Sequence, residues 1–407
     1  MRLLSRPLSF PAVLLAAVVF TSLAAVSLPA ADVSSPPPAC PMSLDTVPLE
    51  GVAEDAAPDD DVSHCVSLEG PSSPGPRPGA DVWSVLTRSL PGIGRMPSSA
   101  HVAVERLDES RCWKRSDVAT LLENPRQPLV IFIHGNRYDH GSARQQGLLL
   151  AQRTAACCPE ARGARTVIFS WPSDKQGILL RDSRAKYERA VSDGHYLAWL
   201  LAKVEPDRPV AIIGYSYGAL VALEALEDLV AAEQAGRSDV HPWMHRTSPL
   251  HLVLVAAAVR HDALAPRGPY REVVPCIDRL TLLINSSDHA LRFFELVDRG
   301  LRTEALGDVG MPASWLPRDI GFTQVDAAGI VGGSHRFKPY LASASLMRRI
   351  CTGAGGDLIC PADGPCQDDP CQDTTACGEQ SGSCHENHPG PSSGMVCPAD
   401  PSRAEAP

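Results

Sequence analysis

Along the middle of the chain, short runs of β-branched and apolar residues alternate with longer stretches whose apolar positions recur at helical spacing. In the runs at 128–134, 166–171, 209–213, 250–258 and 280–284, apolar residues mostly follow one another instead of alternating with polar ones. Strands buried on both faces carry that pattern. Residues 82–87 and 101–107 read as opening strands. Gly135 and Pro172 end two of the runs, and the spacing predicts helices over 141–157, 180–204 and 217–234, with a final helix from Pro339. Strand-helix alternation of this kind predicts the α/β class: a doubly wound, mostly parallel sheet with helices on both faces.

The pattern fails at both ends. Residues 1–30 open with Arg2 and Arg6, continue as an apolar run interrupted by Pro11, and close on small residues around Ala30. This reads as a secretory signal, with an uncleaved anchor helix as the alternative and the only expected membrane contact. Residues 31–80 hold ten prolines, nine acids and one arginine, too little apolar surface to offset chain entropy, and are expected to be an acidic linker. Residues 351–407 resemble them in composition but hold seven of the 13 cysteines. Export would place these thiols in an oxidising compartment, so the tail reads either as a loop-rich disulfide module or as a disordered segment with free thiols. None of its cysteine pairs is separated by just two residues, so zinc hooks are not expected.

The net charge of −10 comes from these flanks, which hold 18 acids against four bases and leave 33 bases against 29 acids in residues 81–350. A near-neutral domain lacks the clustered basic face that nucleic acid demands. The locally basic stretch 181–189 reads as a solvated helix face rather than a phosphate site.

Candidate chemistry centres on Gly214-Tyr-Ser-Tyr-Gly218, which lies between a buried run and a long helix. That context is the one in which a Gly-x-Ser-x-Gly turn lifts its serine above a sheet edge, so Ser216 is the expected nucleophile. Acyl transfer also needs amide donors for the oxyanion. Tyr217 supplies one, and the second belongs to the His134-Gly-Asn-Arg137 loop, with Asn136 preferred and His134 read as structural. If the chain order is serine, acid, histidine, the base follows the last strands, and His335 in a glycine-rich loop fits better than His385 or His388 of the tail. Asp288 is the first acid after the run 280–284; Asp262 is its rival, and a helix cap is the plainer role for Asp288.

The segments Ile131-Phe-Ile-His-Gly-Asn136, Ile168-Phe-Ser-Trp-Pro-Ser173, Gly214-Tyr-Ser-Tyr-Gly218 and Ile284-Asn-Ser-Ser-Asp-His-Ala-Leu291 together resemble an uncharacterised bacterial α/β-hydrolase family with a lipase- or esterase-like fold. The resemblance spans residues 81–350. It implies the α/β-hydrolase fold and reaction class, and agrees by position with Ser216, Asp288 and His335.

The expectation is therefore an exported serine hydrolase of 407 residues, acting without metal or cofactor on a small-molecule or lipid-like acyl substrate. An acyltransferase with the same triad and a non-catalytic binding protein on the same fold are the alternatives.

Overall fold

The computed structural model describes residues 64–65, 81–157, 163–175, 179–297 and 303–355. All belong to one compact unit that begins at Asp61. The expected signal, most of the expected linker and the tail beyond residue 355 lie outside the described residues.

Ten strands form one sheet: β1 (His64–Cys65), β2 (Asp81–Leu86), β3 (Ala103–Leu107), β4 (Cys112–Ser116), β5 (Leu129–Ile133), β6 (Arg165–Ser170), β7 (Val210–Tyr215), β8 (Leu250–Val255), β9 (Arg279–Ile284) and β10 (Gly321–Asp326). Their order is β1-β4-β3-β2-β6-β5-β7-β8-β9-β10. From β2 through β10 all neighbours pair in parallel, whereas β3, β4 and β1 extend the sheet antiparallel beyond β2. Every residue of β5, β6, β7 and β8 is buried, in keeping with their largely apolar runs.

The main helices are α1 (Val118–Leu122), α2 (His140–Cys157), α3 (Leu179–Leu201) and α4 (Tyr217–Gln234), followed by the shorter α5 (Leu306–Val309), α6 (Ala328–Val331), α7 (Phe337–Ala342) and α8 (Ala344–Gly353). From β5 the chain moves one way to β6 through α2, then back past β5 to β7 through α3. Right-handed crossovers therefore place these helices on opposite faces. Consistently, α3 packs on α4, while α2 packs on α7 and α8. The reversal beside β5 makes the crevice at the carboxyl ends of β5 and β7 the natural place for a site.

Several elements depart from the sequence pattern. β10 lies at the sheet margin with no fully buried residue, so it lacks the apolar run that marks the inner strands. α1 is only five residues long and is held by a local cap, Asp117 Oδ1 accepting from Thr120 N at 2.8 Å. The expected final helix is two, because Ser343 interrupts it and caps α8 by accepting from Leu346 N. Cys351, which the composition assigned to the tail, lies buried inside α8. Nor is 181–189 a freely solvated face: Lys186 Nζ donates to Pro172 O, Arg184 donates to Leu296 O, and Arg189 pairs with Asp193 at 2.6 Å.

Candidate active site

Ser216 stands between the last residue of β7 and the first of α4, with φ 55° and ψ −120°. A side-chain-bearing residue rarely adopts such a backbone, and its persistence means that the surroundings over-determine it. Ser216 N donates to Val255 O at 3.0 Å, and Ser216 O accepts from Ala258 N and Ala219 N. The flanking glycine is also required sterically, since a β-carbon at Gly218 would lie 2.1 Å from Ile133 O.

The serine hydroxyl lies 2.8 Å from His335 Nε2, and His335 Nδ1 lies 2.6 Å from Asp288 Oδ2. These three side chains come from the ends of β7 and β9 and from the loop after α6, so residues up to 119 positions apart converge. Ser216 is 3% exposed, the Asp288 side chain is wholly buried and the His335 side chain is 24% exposed, so solvent reaches the constellation through the imidazole. Asp288 Oδ1 meanwhile accepts from Ala290 N at 2.8 Å and Leu291 N at 3.2 Å. The carboxylate thus also caps a turn, which is a 3₁₀ helix over Leu291–Leu296. Asp262, the rival acid, is instead engaged by the Arg260 guanidinium at 2.7 and 2.9 Å.

Two residues hold the histidine loop. Tyr215 donates its hydroxyl to His335 O at 2.7 Å and stacks its ring on the imidazole with centroids 5.5 Å apart. Burial raises the Tyr215 phenol far above its ordinary range, so it stays a donor. Asn285 Nδ2 donates to Gly332 O at 2.9 Å, fastening the His335 loop to the end of β9 that also carries Asp288. Sequence reasoning did not single out Asn285, although an asparagine directly after a buried strand was a usable signal. Tyr215 stands in the sequence only as one residue of the Gly214-Tyr-Ser-Tyr-Gly218 turn.

The His134–Arg137 loop crosses directly in front of Ser216. The Arg137 amide is taken, donating to Ser173 O at 2.7 Å and to the Asn136 side-chain oxygen at 2.8 Å. Among the described residues the Asn136 amide has no acceptor, and the Tyr217 amide opens the first turn of the 18-residue helix α4. Helix amino ends carry partial positive charge and unpaired donors. Burial pushes His134 down to about 3, keeping that ring neutral. Among the described residues no group of three His, Cys, Asp or Glu side chains is placed to hold a metal ion, and no helix is long and apolar enough to cross a membrane.

Residues 111–350 match the family described as alpha/beta hydrolase of unknown function (DUF900). The chain belongs to that family. No curated protein sequence matches it. Among solved structures, this α/β hydrolase is similar to esterase B from Lactobacillus rhamnosis, with 15% identity, 62% of this chain and 76% of the other covered, and a TM-score of 0.28. It is also similar to carboxyl esterase 2 of the fungus Tuber melanosporum, with 13% identity, 71% and 94% coverage and a TM-score of 0.27. A third similarity is to the NocB thioesterase domain of the nocardicin cluster, with 19% identity, 56% and 90% coverage and a TM-score of 0.24.

Proposed function

We propose that this α/β hydrolase is a serine hydrolase that cleaves an ester-like acyl bond through an acyl-enzyme. The observation that carries the reading is the unbroken relay from the Ser216 hydroxyl to His335 at 2.8 Å and on to Asp288 at 2.6 Å. In it, His335 Nε2 takes the hydroxyl proton as Ser216 Oγ attacks the carbonyl carbon, and Asp288 stabilises the imidazolium that forms. The carbonyl oxygen becomes an oxyanion, which the Tyr217 and Asn136 amides stabilise. Collapse expels the alcohol, which takes the proton from His335. Water then attacks the acyl-serine by the same route, returning the hydroxyl and releasing the acid.

The large hydrophobic side chains that are exposed among the described residues support an apolar acyl group. Phe293, Leu296, Val309 and Ile330 all lie in segments after β9 and β10, the strands that precede Asp288 and His335. Export is part of this reading and rests on the N-terminal segment alone.

The direct test is incubation of the full chain with a fluorophosphonate probe and mapping of the modified peptide. Ser216 is expected to be labelled, and Ser216→Ala to abolish both labelling and hydrolysis of p-nitrophenyl esters. Folded protein that neither takes the label nor turns over any ester would reject the proposal. Release of an ester product in place of an acid, when an alcohol is supplied, would favour acyl transfer.

A further inference from the structure

Gly135 sits where a β-carbon would lie 2.9 Å from the Ser216 Cβ and equally close to the Tyr215 ring, so this position must be glycine. That requirement has a cost. Glycine gives the following peptide unit little intrinsic preference, so the unit carrying the Asn136 amide is the part of the loop least held by its own stereochemistry. Its neighbours are anchored: Trp171 Nε1 donates to His134 O at 2.8 Å, and Arg137 N donates to Ser173 O at 2.7 Å. Only the Gly135–Asn136 unit between these anchors needs a separate restraint.

We propose that His134 is a positioning residue that supplies this restraint: by donating from Nδ1 to Gly135 O, it fixes the direction of the Asn136 amide before substrate arrives. The inference rests on the acyl-transfer reading above. In a planar trans peptide the carbonyl and the following N–H point in opposite directions. Holding Gly135 O against the His134 ring, at 2.9 Å from Nδ1, therefore turns the Asn136 N–H away from that ring. The tautomer is determined as well. His134 Nε2 accepts from Trp171 N at 3.3 Å, so the ring proton must be on Nδ1. Stacking on the Trp171 ring, with centroids 5.7 Å apart and planes 8° from parallel, prevents the imidazole from swinging out of register. Burial keeps the ring neutral, down to about 3, so donor and acceptor keep their roles across the range in which an esterase would work. Ser173 completes the frame, its hydroxyl accepting from Tyr138 N at 3.1 Å.

Two polar replacements separate the functions of the two ring nitrogens. In His134→Asn the side-chain amide nitrogen falls near the Nδ1 position and can still donate to Gly135 O. In His134→Gln the amide lies near the Nε2 position, where it can accept from Trp171 N but leaves Gly135 O without its donor. Steady-state kinetics on a p-nitrophenyl ester should show kcat of the Asn variant within about threefold of the parent. The Gln variant should lose kcat by at least about tenfold, towards the ~10²–10³-fold typical of a lost oxyanion donor, with KM unchanged. Equal kcat in both variants, or a change confined to KM, overturns the inference alone. A parent protein that turns over no ester overturns the functional reading and this inference with it. A check that needs no variant is ¹⁵N-histidine NMR of the parent. One non-titrating, exchange-protected ring in the Nδ1–H form is expected, and an Nε2–H form for that ring overturns the inference even if neither variant folds.

Discussion

Gly135 and Ser216 occupy adjoining space: a β-carbon on the first would lie 2.9 Å from the β-carbon of the second. Real β-carbons do not approach so closely, so Gly135→Ala must displace either the elbow or the loop in front of it. Overpacking of this kind costs about 1–3 kcal/mol. Because either displacement moves the proposed oxyanion donor relative to the proposed nucleophile, kcat should fall by more than the loss of folded protein explains. Thermal unfolding and ester kinetics on one preparation test this, and a variant with parental Tm and kcat would refute it.

Asp288 is bound on both carboxylate oxygens, with one facing His335 Nδ1 and the other accepting two backbone amides. In Asp288→Asn the remaining oxygen can keep the backbone amides. The new amino group then faces Nδ1 as a donor, forcing the ring proton onto Nε2, where it can no longer accept from Ser216. A wrong tautomer in an intact frame costs on the order of 10⁴ in kcat in a serine protease of this type. We expect a loss of similar order here with a small change in Tm, measured by kinetics and calorimetry. Loss of less than tenfold would show that Asp288 serves mainly as the turn cap.

How much of this was legible in the sequence differs by element. β5 through β9 and the three long helices were, because burial on both faces and amphipathic spacing leave strong patterns. β10 was not, since it borders one strand and keeps polar residues such as Thr323, Gln324 and Asp326. At the site, Ser216 was legible from its strand-turn-helix context, and His335 and Asp288 from chain order. What chain order cannot carry is the set of cross-links among loops, such as Asn285 to Gly332 or Tyr215 to His335 O, which join residues 47 and 120 positions apart. They depend on strands β7, β9 and β10 being aligned first. His134 shows the same limit: its sequence position marked it as structural, but only the Trp171 contacts show which nitrogen carries its proton.

Away from the site, His195 and Asp228 form a 2.6 Å contact between α3 and α4. Burial opposes charge on His195, but the hydrogen bond and charge of Asp228, with Glu224 and Asp193 nearby, raise it above 6.5 overall. A raised histidine contributes stability that is fully present below the unfolded value and lost as pH rises through the folded one. The stability advantage of the parent over Asp228→Asn should therefore be largest below about pH 6.5 and shrink as pH rises through the raised value of His195. His134 works in the opposite direction, its lowered value eroding stability as pH falls below 6.5 towards about 3, but it is common to both proteins and cancels in the difference. Guanidinium unfolding at several pH values measures that difference, and a gap that widens with rising pH would contradict the assignment.

The exposed apolar side chains of the turn after Asp288 bear on which substrates the proposed hydrolase takes. Phe293 is 63% exposed and Leu296 is 49% exposed, whereas Phe294 between them is buried against Tyr187, whose ring in turn meets Tyr217. The turn is thus fixed inward by Phe294 and presents Phe293 and Leu296 outward, a short distance along the chain from Asp288. Solvent-facing apolar groups have no stabilising role in the free protein, so their replacement should leave Tm nearly unchanged. If they contact an apolar acyl chain, each buried methylene of substrate contributes up to ~0.8 kcal/mol of binding. Phe293→Ser combined with Leu296→Ser should then lower kcat/KM for a dodecanoyl p-nitrophenyl ester by at least about tenfold, while leaving the acetyl ester within about twofold. That tenfold corresponds to ~1.4 kcal/mol, or roughly two methylenes' worth of contact. A parallel fall for both esters would instead point to a disturbed Asp288 turn, and no fall for either would show that the chain lies elsewhere.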